Sequence, residues 1–213
     1  TSILNFPKMF MNTFVIAIFT CIISTIFVLS VAYSMSRMRF KMRKPFMNIA
    51  MIIGLFPSFM SMIAVYYILR ALNLADGAMI RVALIIVFSA GSGAGFYVAK
   101  GFFDTISKSL DEAAIIDGAT RWNVFTKITV PLSKPIIVYT ILTSFMGPWV
   151  DFIFGKVICR ADAQYYTVSI GLWKMLEKEY IDSWYTCFAA GAVVVSIPIA
   201  IISFVTWLLS QLV

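Results

Sequence analysis

The chain has 213 residues, of which 61% are hydrophobic and only 13% charged, and its mean hydropathy is +0.93. A soluble domain of this size carries about 25% charged residues to meet water, so much of this surface is expected to face lipid. The net charge of +7 is gathered in short basic clusters beside apolar runs, which is the pattern of membrane-face loops and argues against nucleic acid as a partner.

The absence of histidine excludes His-based triads, His general bases and HExxH-type zinc sites. Cys21, Cys159 and Cys187 show no CxxC spacing, and Cys21 and Cys187 lie in apolar runs, where cysteine is a small packing residue.

A bilayer core of about 30 Å requires roughly 20 apolar residues in a helix. In chain order, residues 9–36, 45–69, 82–99 and 183–213 contain no charge, and a fifth run starts at Pro135 and meets only Asp151 near its far end. Such runs must be helices, because lipid offers backbone groups no hydrogen bonds. The expectation is an all-α, polytopic helical membrane protein forming one domain over residues 1–213, with five spans. The first apolar run is too long for a secretory signal and lacks a basic flank before it. Because the chain starts at Thr1 and the span count is odd, an upstream sixth span is expected in the intact subunit.

Lysine and arginine set the orientation. Five cations fall in the eight residues 37–44, and Lys100, Lys108, Arg121, Lys127 and Lys134 lie in the segment 100–134. Both loops are therefore expected in the cytoplasm, with 1–12, 70–81 and 159–182 outside. Pro57, Pro148 and Pro198 fall within spans, where each removes a helix hydrogen bond. Either the resulting kinks shape the bundle or they gate a path between helices. Tyr66, Tyr67, Trp173 and Trp184 lie near span ends and suit the interfacial belt.

The long loop 100–134 has a helical pattern of its own. Ser109 and Glu112 have capping-box spacing, and Gly118 suits the left-handed position that ends a helix. Leu110, Ala113 and Ala114 share a face, with Asp117 a turn further on. A second short helix would place Trp122 and Phe125 together, with Pro131 limiting its extent. The result is a helix–glycine–helix elbow. One reading makes it an interfacial anchor in membrane lipid; the other, favoured by the Ala-Ala step and three acids, makes it a handle for a partner protein.

Glu112-Ala113-Ala114, three residues, Gly118, nine residues, Ile128, one residue, then Val130-Pro131 resembles the EAA loop of binding-protein-dependent ABC importer permeases, EAA-x3-G-x9-I-x-L-P. The one departure is Val130 in place of leucine. Asn12-Thr13, the stretch 147–154, Tyr166–Leu172 and Phe188–Ala192 are similar to the sugar-importing branch, and the chain looks like the shorter permease partner of maltose/maltodextrin-type importers. That branch often has Trp-Asn-Asp-Phe where this chain carries Val150 between Trp149 and Asp151.

The resemblance implies a type I ABC importer transmembrane fold in a bacterial inner membrane. It also implies a second permease subunit, an ATPase dimer that binds the ATP and magnesium, and an extracytoplasmic solute-binding protein. The chain itself would bind no cofactor or metal and catalyse no reaction. Glu112, Ala113, Ala114 and Gly118 would dock the ATPase, with Asp117 nearby.

Other signals are weaker. Asp151 is the only acid within an expected span, and intramembrane acids are functional candidates. With Trp149 it would suit a sugar in the substrate pathway, although a hydrated interfacial role fits equally. Charges in 159–182, namely Asp162, Lys174, Glu177, Lys178, Glu179 and Asp182, suit either contact with the binding protein or a solvated loop. The glycines of 91–95 suit close helix packing better than a phosphate loop, since they sit within an apolar span. The alternative function is an ATP-independent secondary transporter or channel, which would place functional charges in several spans.

Overall fold

A computed structural model describes residues 4–55, 58–91, 95–160, 162–177 and 181–211, and among these every regular element is helical. The first helix, α1 (Phe6–Arg37), begins where Asn5 Oδ1 accepts the Lys8 amide at 3.1 Å, with Pro7 in the first turn. It is the hub of the molecule and packs against α4 (Met79–Gly91), α5 (Gly95–Thr105), α9 (Lys134–Val150) and α11 (Val168–Met175).

α1 does not sort its residues as a helix in water does. Its buried face mixes small or polar residues (Thr13, Ala17, Thr20, Ser24) with large apolar ones (Ile16, Val28, Tyr33), while Ile18, Phe19, Ile22, Ile26 and Phe27 are exposed. Small residues let neighbouring helices approach closely, and the exposed apolar ones meet a lipid-like exterior.

The apolar stretch 45–69, expected as one span, carries α2 (Arg43–Gly54) and α3 (Ser58–Ala71), with residues 56–57 outside the described set. At 1.5 Å per residue their 12 and 14 residues reach about 18 and 21 Å, so neither crosses a 30 Å core alone. Pro57 lies outside the described residues. α2 buries none of its residues, and its Phe46, Ile49, Met51, Ile52 and Ile53 are exposed.

Among the described residues, two single helices are long and apolar enough to cross, Phe6–Arg37 and the Trp184–Leu208 portion of α12 (Ile181–Gln211). The number rises to four if two bent pairs each count as one span, α4 with α5 (42°) and Arg121–Leu132 with Lys134–Val150 (79°). α9 and α12 each run as one helix past Pro148 and Pro198, although each proline removes the amide that would bond to the carbonyl four residues back.

The core falls into two clusters spread along α1. One joins its first half to α4, α9 and α11, with Phe10 edge-on to Trp149 at 5.2 Å. The other joins its last turns to α5 and the start of α9 through Val28, Ala32, Tyr33, Phe103 and Ile136. Beside this second cluster lie the basic loop and the elbow.

The segment expected to be an outer loop is largely packed. Beyond α10 (Ile153–Cys159), a short 3-10 turn (Ala163–Tyr165) leads into α11, where Val168, Ile170 and Met175 are buried. Asn12 Nδ2 donates to the carbonyls of Gln164 (2.9 Å) and Tyr166 (3.2 Å), and Thr13 Oγ accepts the Val168 amide at 2.9 Å. These bonds explain an Asn-Thr pair inside an apolar run: it holds the returning chain onto α1.

Candidate functional site

The elbow starts with α6 (Lys108–Ile116), whose cap is Ser107 rather than the expected Ser109. Ser107 Oγ accepts the Ser109 amide at 3.3 Å, and the two hydroxyls lie 2.7 Å apart. The earlier start moves Glu112 past the capping-box position, which Leu110 now occupies, and Glu112 is exposed. Freed from the cap, its carboxylate is available to a partner.

The end of α6 follows the sequence. Gly118 has φ +85°, its amide donates to the Ile115 carbonyl at 3.0 Å, and the Ala119 amide donates to Ala114 at 2.9 Å. This is a Schellman closure, which requires a left-handed residue at that point. No atom lies within 4 Å of where a Gly118 Cβ would stand, so the requirement is on the backbone.

α7 (Arg121–Val124) then starts at Thr120, whose Oγ accepts the Asn123 amide at 3.2 Å. Pro131 does not stop the helical run before it. A π-helical turn (Phe125–Thr129) leads into α8 (Val130–Leu132), and Pro131 lies in the first turn of α8, where a missing amide is tolerated. The run turns by 79° into α9 at Ser133. Trp122 and Phe125 sit together at 5.8 Å between ring centroids.

α6 buries no residue, and Leu110, Ile115, Ile116 (85% exposed) and the nearby Trp122 are all open. The Leu110–Ala113–Asp117 edge is exposed, with Ala114 half-buried. Asp111 turns the other way: its Oδ2 lies 3.3 Å from Arg37 Nε. Arg37 Nη2 also donates to the carbonyls of Phe103 (3.0 Å) and Ile106 (2.9 Å). Beside this pair is a cavity of about 590 Å³ lined by Tyr33, Arg39, Arg43, Lys108, Glu112 and Arg121.

The two residues expected in a substrate pathway, Trp149 and Asp151, border one cavity of about 570 Å³ together with Ser169 and Trp173. Trp149 is 3% exposed and locked between Phe10 and Phe145, at 5.2 and 6.0 Å. Asp151 is half-buried just past α9, where its Oδ1 accepts the Gly155 amide at 3.2 Å. It borders a cavity of about 580 Å³ with Tyr139, Thr140, Thr143 and Ser144. Those four residues were missed from sequence, although a hydroxyl-bearing run within a span was a visible signal. Gly91 and Gly95 reach the same cavity; residues 92–94 are outside the described set.

Among the described charges of the outer segment, Asp162 caps the Gln164 amide (3.1 Å) and Lys174 stands over the Tyr166 ring (5.1 Å). Glu177 is half-buried, whereas Lys178, Glu179 and the Asp182 side chain lie outside the described residues. Cys159 is buried, and burial followed by the negative charge of Asp162 pushes its thiol up to about 12. No group of three potential metal ligands occurs among the described residues.

An all-helical bundle with exposed apolar helices, a cavity bordered by several hydroxyls and one carboxylate, and an exposed elbow fits a polytopic membrane transport component. Residues 28–213 match the binding-protein-dependent transport system inner membrane component family, and the chain belongs to it. It is 34% identical over 200 residues to the galactooligosaccharides transport system permease protein GanQ of Bacillus subtilis, covering 93% of this chain and 69% of that protein. The maltodextrin transport system permease protein MalD of Streptococcus pneumoniae is 30% identical, with 92% and 68% covered. Its fold is similar to a chain in the crystal structure of a bacterial ABC transporter involved in the import of the acidic polysaccharide alginate. That match has a TM-score of 0.76 at 26% identity, covering 95% of this chain and 74% of the other.

Proposed function

We infer that the chain is the permease subunit of an ATP-driven importer, supplying half of a translocation pathway for a carbohydrate of the oligosaccharide class. The observation that carries this is α6: an exposed helix bearing Glu112, Ala113 and Ala114, closed by a left-handed Gly118, in a chain of the importer family. In this reading residues 1–213 act as one permease domain, and the loop 100–134 is cytoplasmic. The ATPase pair docks on Glu112, Ala113, Ala114, Asp117 and Gly118, binding its own ATP and magnesium. The alanines let the partner approach closely, and Glu112 offers a charge to a basic side chain.

A second permease subunit completes the pathway against the exposed apolar helices, and an extracytoplasmic solute-binding protein delivers the solute. The sugar class is supported by relatives that are permeases for galactooligosaccharides and maltodextrin. It is also supported by a cavity combining Tyr139 with Asp151, since aromatic faces and carboxylates suit polyhydroxylated solutes.

The test is uptake of labelled maltodextrin and galactooligosaccharide into proteoliposomes holding the complete transporter. Accumulation that needs both ATP and the binding protein supports the reading. Uptake of either sugar without ATPase subunits would establish a secondary transporter or channel instead.

A further inference from the structure

A helix that buries none of its residues is tied to the membrane helices by its chain ends and by the few side chains that reach back. Among the described residues there are two ion pairs, and one of them leaves α6. Arg37 is the last residue of α1, its side chain 4% exposed, and its Nε lies 3.3 Å from Oδ2 of Asp111, itself 14% exposed. Through Nη2 the same guanidinium donates to the carbonyls of Phe103 and Ile106, at the end of α5 and just beyond it. A planar fork with five donors can serve both a carboxylate and two carbonyls, whereas an ammonium offers a single point.

The second pair, Lys100 with Asp104 at 2.5 Å, lies within α5. It adds to the same joint, because Asp104 Oδ1 also accepts from Ser36 Oγ at 2.6 Å and so ties α5 to the end of α1. The ends of α1 and α5 are thus locked together, and Asp111 hangs α6 from that lock. Separating a desolvated pair leaves an uncompensated buried charge, so this link resists being pulled apart. Arg37 therefore stands apart from the other cations of 37–44.

We propose that Arg37 and Asp111 are positioning residues that transmit movement of α6 to α1 and α5 as one body. This rests on the reading of α6 as the ATPase-docking helix. Asp111 faces inward and is not among the docking residues, so its loss uncouples the machine without removing the ATPase.

The test uses the complete transporter in proteoliposomes and reads sugar imported per ATP hydrolysed. With Asp111→Asn the ATPase still co-purifies and hydrolyses ATP, while the import ratio falls roughly tenfold or more. Asp111→Glu, which keeps the charge, restores most of it. An Asp111→Asn ratio equal to wild type would overturn the proposal, as would an assembled Asp111→Glu as defective as Asp111→Asn. Should Asp111→Asn fail to assemble, Arg37→Lys decides: the ratio falls if the fork matters, and an unchanged ratio refutes it. Failure of the docking reading is distinguishable, since the wild-type chain itself would then purify without ATPase.

Discussion

Replacement of Gly118 separates backbone geometry from space. The residue holds φ +85°, and a Cβ there would meet no atom within 4 Å, so any penalty comes from the left-handed conformation alone. For an L-residue that conformation costs about 1–2 kcal/mol, more for a β-branched one. α6 buries nothing that could compensate, and its closure rests on two hydrogen bonds, Gly118 to Ile115 and Ala119 to Ala114. At 1–2 kcal/mol the ratio of closed to open turn falls by a factor of roughly 5–30, and uptake falls by up to that factor where turn closure limits docking.

Gly118→Ala should therefore reduce ATP-driven uptake by up to that factor, and Gly118→Val should nearly abolish it. Gly118→Asn should retain most activity, because asparagine tolerates the left-handed region. All three should insert in the membrane at wild-type levels, since the residue is exposed. Uptake by Gly118→Val within about twofold of wild type would refute the reasoning, because that substitution should shift the turn by more than 1 kcal/mol. Asn as damaging as Val would place the penalty in a docked partner's close approach instead.

Other substitutions test the remaining joints. Asn12→Ala leaves the carbonyls of Gln164 and Tyr166 without their amide donor, at about 1–3 kcal/mol for each buried group, and should lower the thermal midpoint in detergent; an unchanged midpoint contradicts the tether. Trp149→Ala, which empties a site 3% exposed, should destabilise by about 3–5 kcal/mol; the conservative Trp149→Phe should leave sugar preference unaltered. Tyr139→Ala, at the cavity wall, should instead weaken uptake with little loss of stability, and the reverse pattern would move the pathway elsewhere. Cys159, its thiol pushed up to about 12 by burial and by Asp162, holds on the order of one thiolate in ten thousand at pH 8. It should resist maleimide in the folded protein and react after denaturation; rapid native labelling would contradict its burial.

α1 and α12 were legible because long charge-free runs admit one structure in lipid. The elbow was legible because the Gly118 closure is local chemistry. What escaped was decided by tertiary contacts. Nothing in the run Arg37–Lys44 marks Arg37 over its neighbours; only the approach of α5 and α6 makes it a joint. The cap falls at Ser107 rather than Ser109 because two hydroxyls two residues apart compete for the same helix start.

The central claim is that α6 holds an ATPase through Glu112. Its most direct test is to co-express the full-length subunit with its neighbouring permease and ATPase genes, purify by a tag on this chain, and measure ATPase activity in wild type and Glu112→Lys. The account predicts activity that co-purifies with wild type and is stripped by the charge reversal. ATPase retained in full by Glu112→Lys, or absent from wild type, would contradict it.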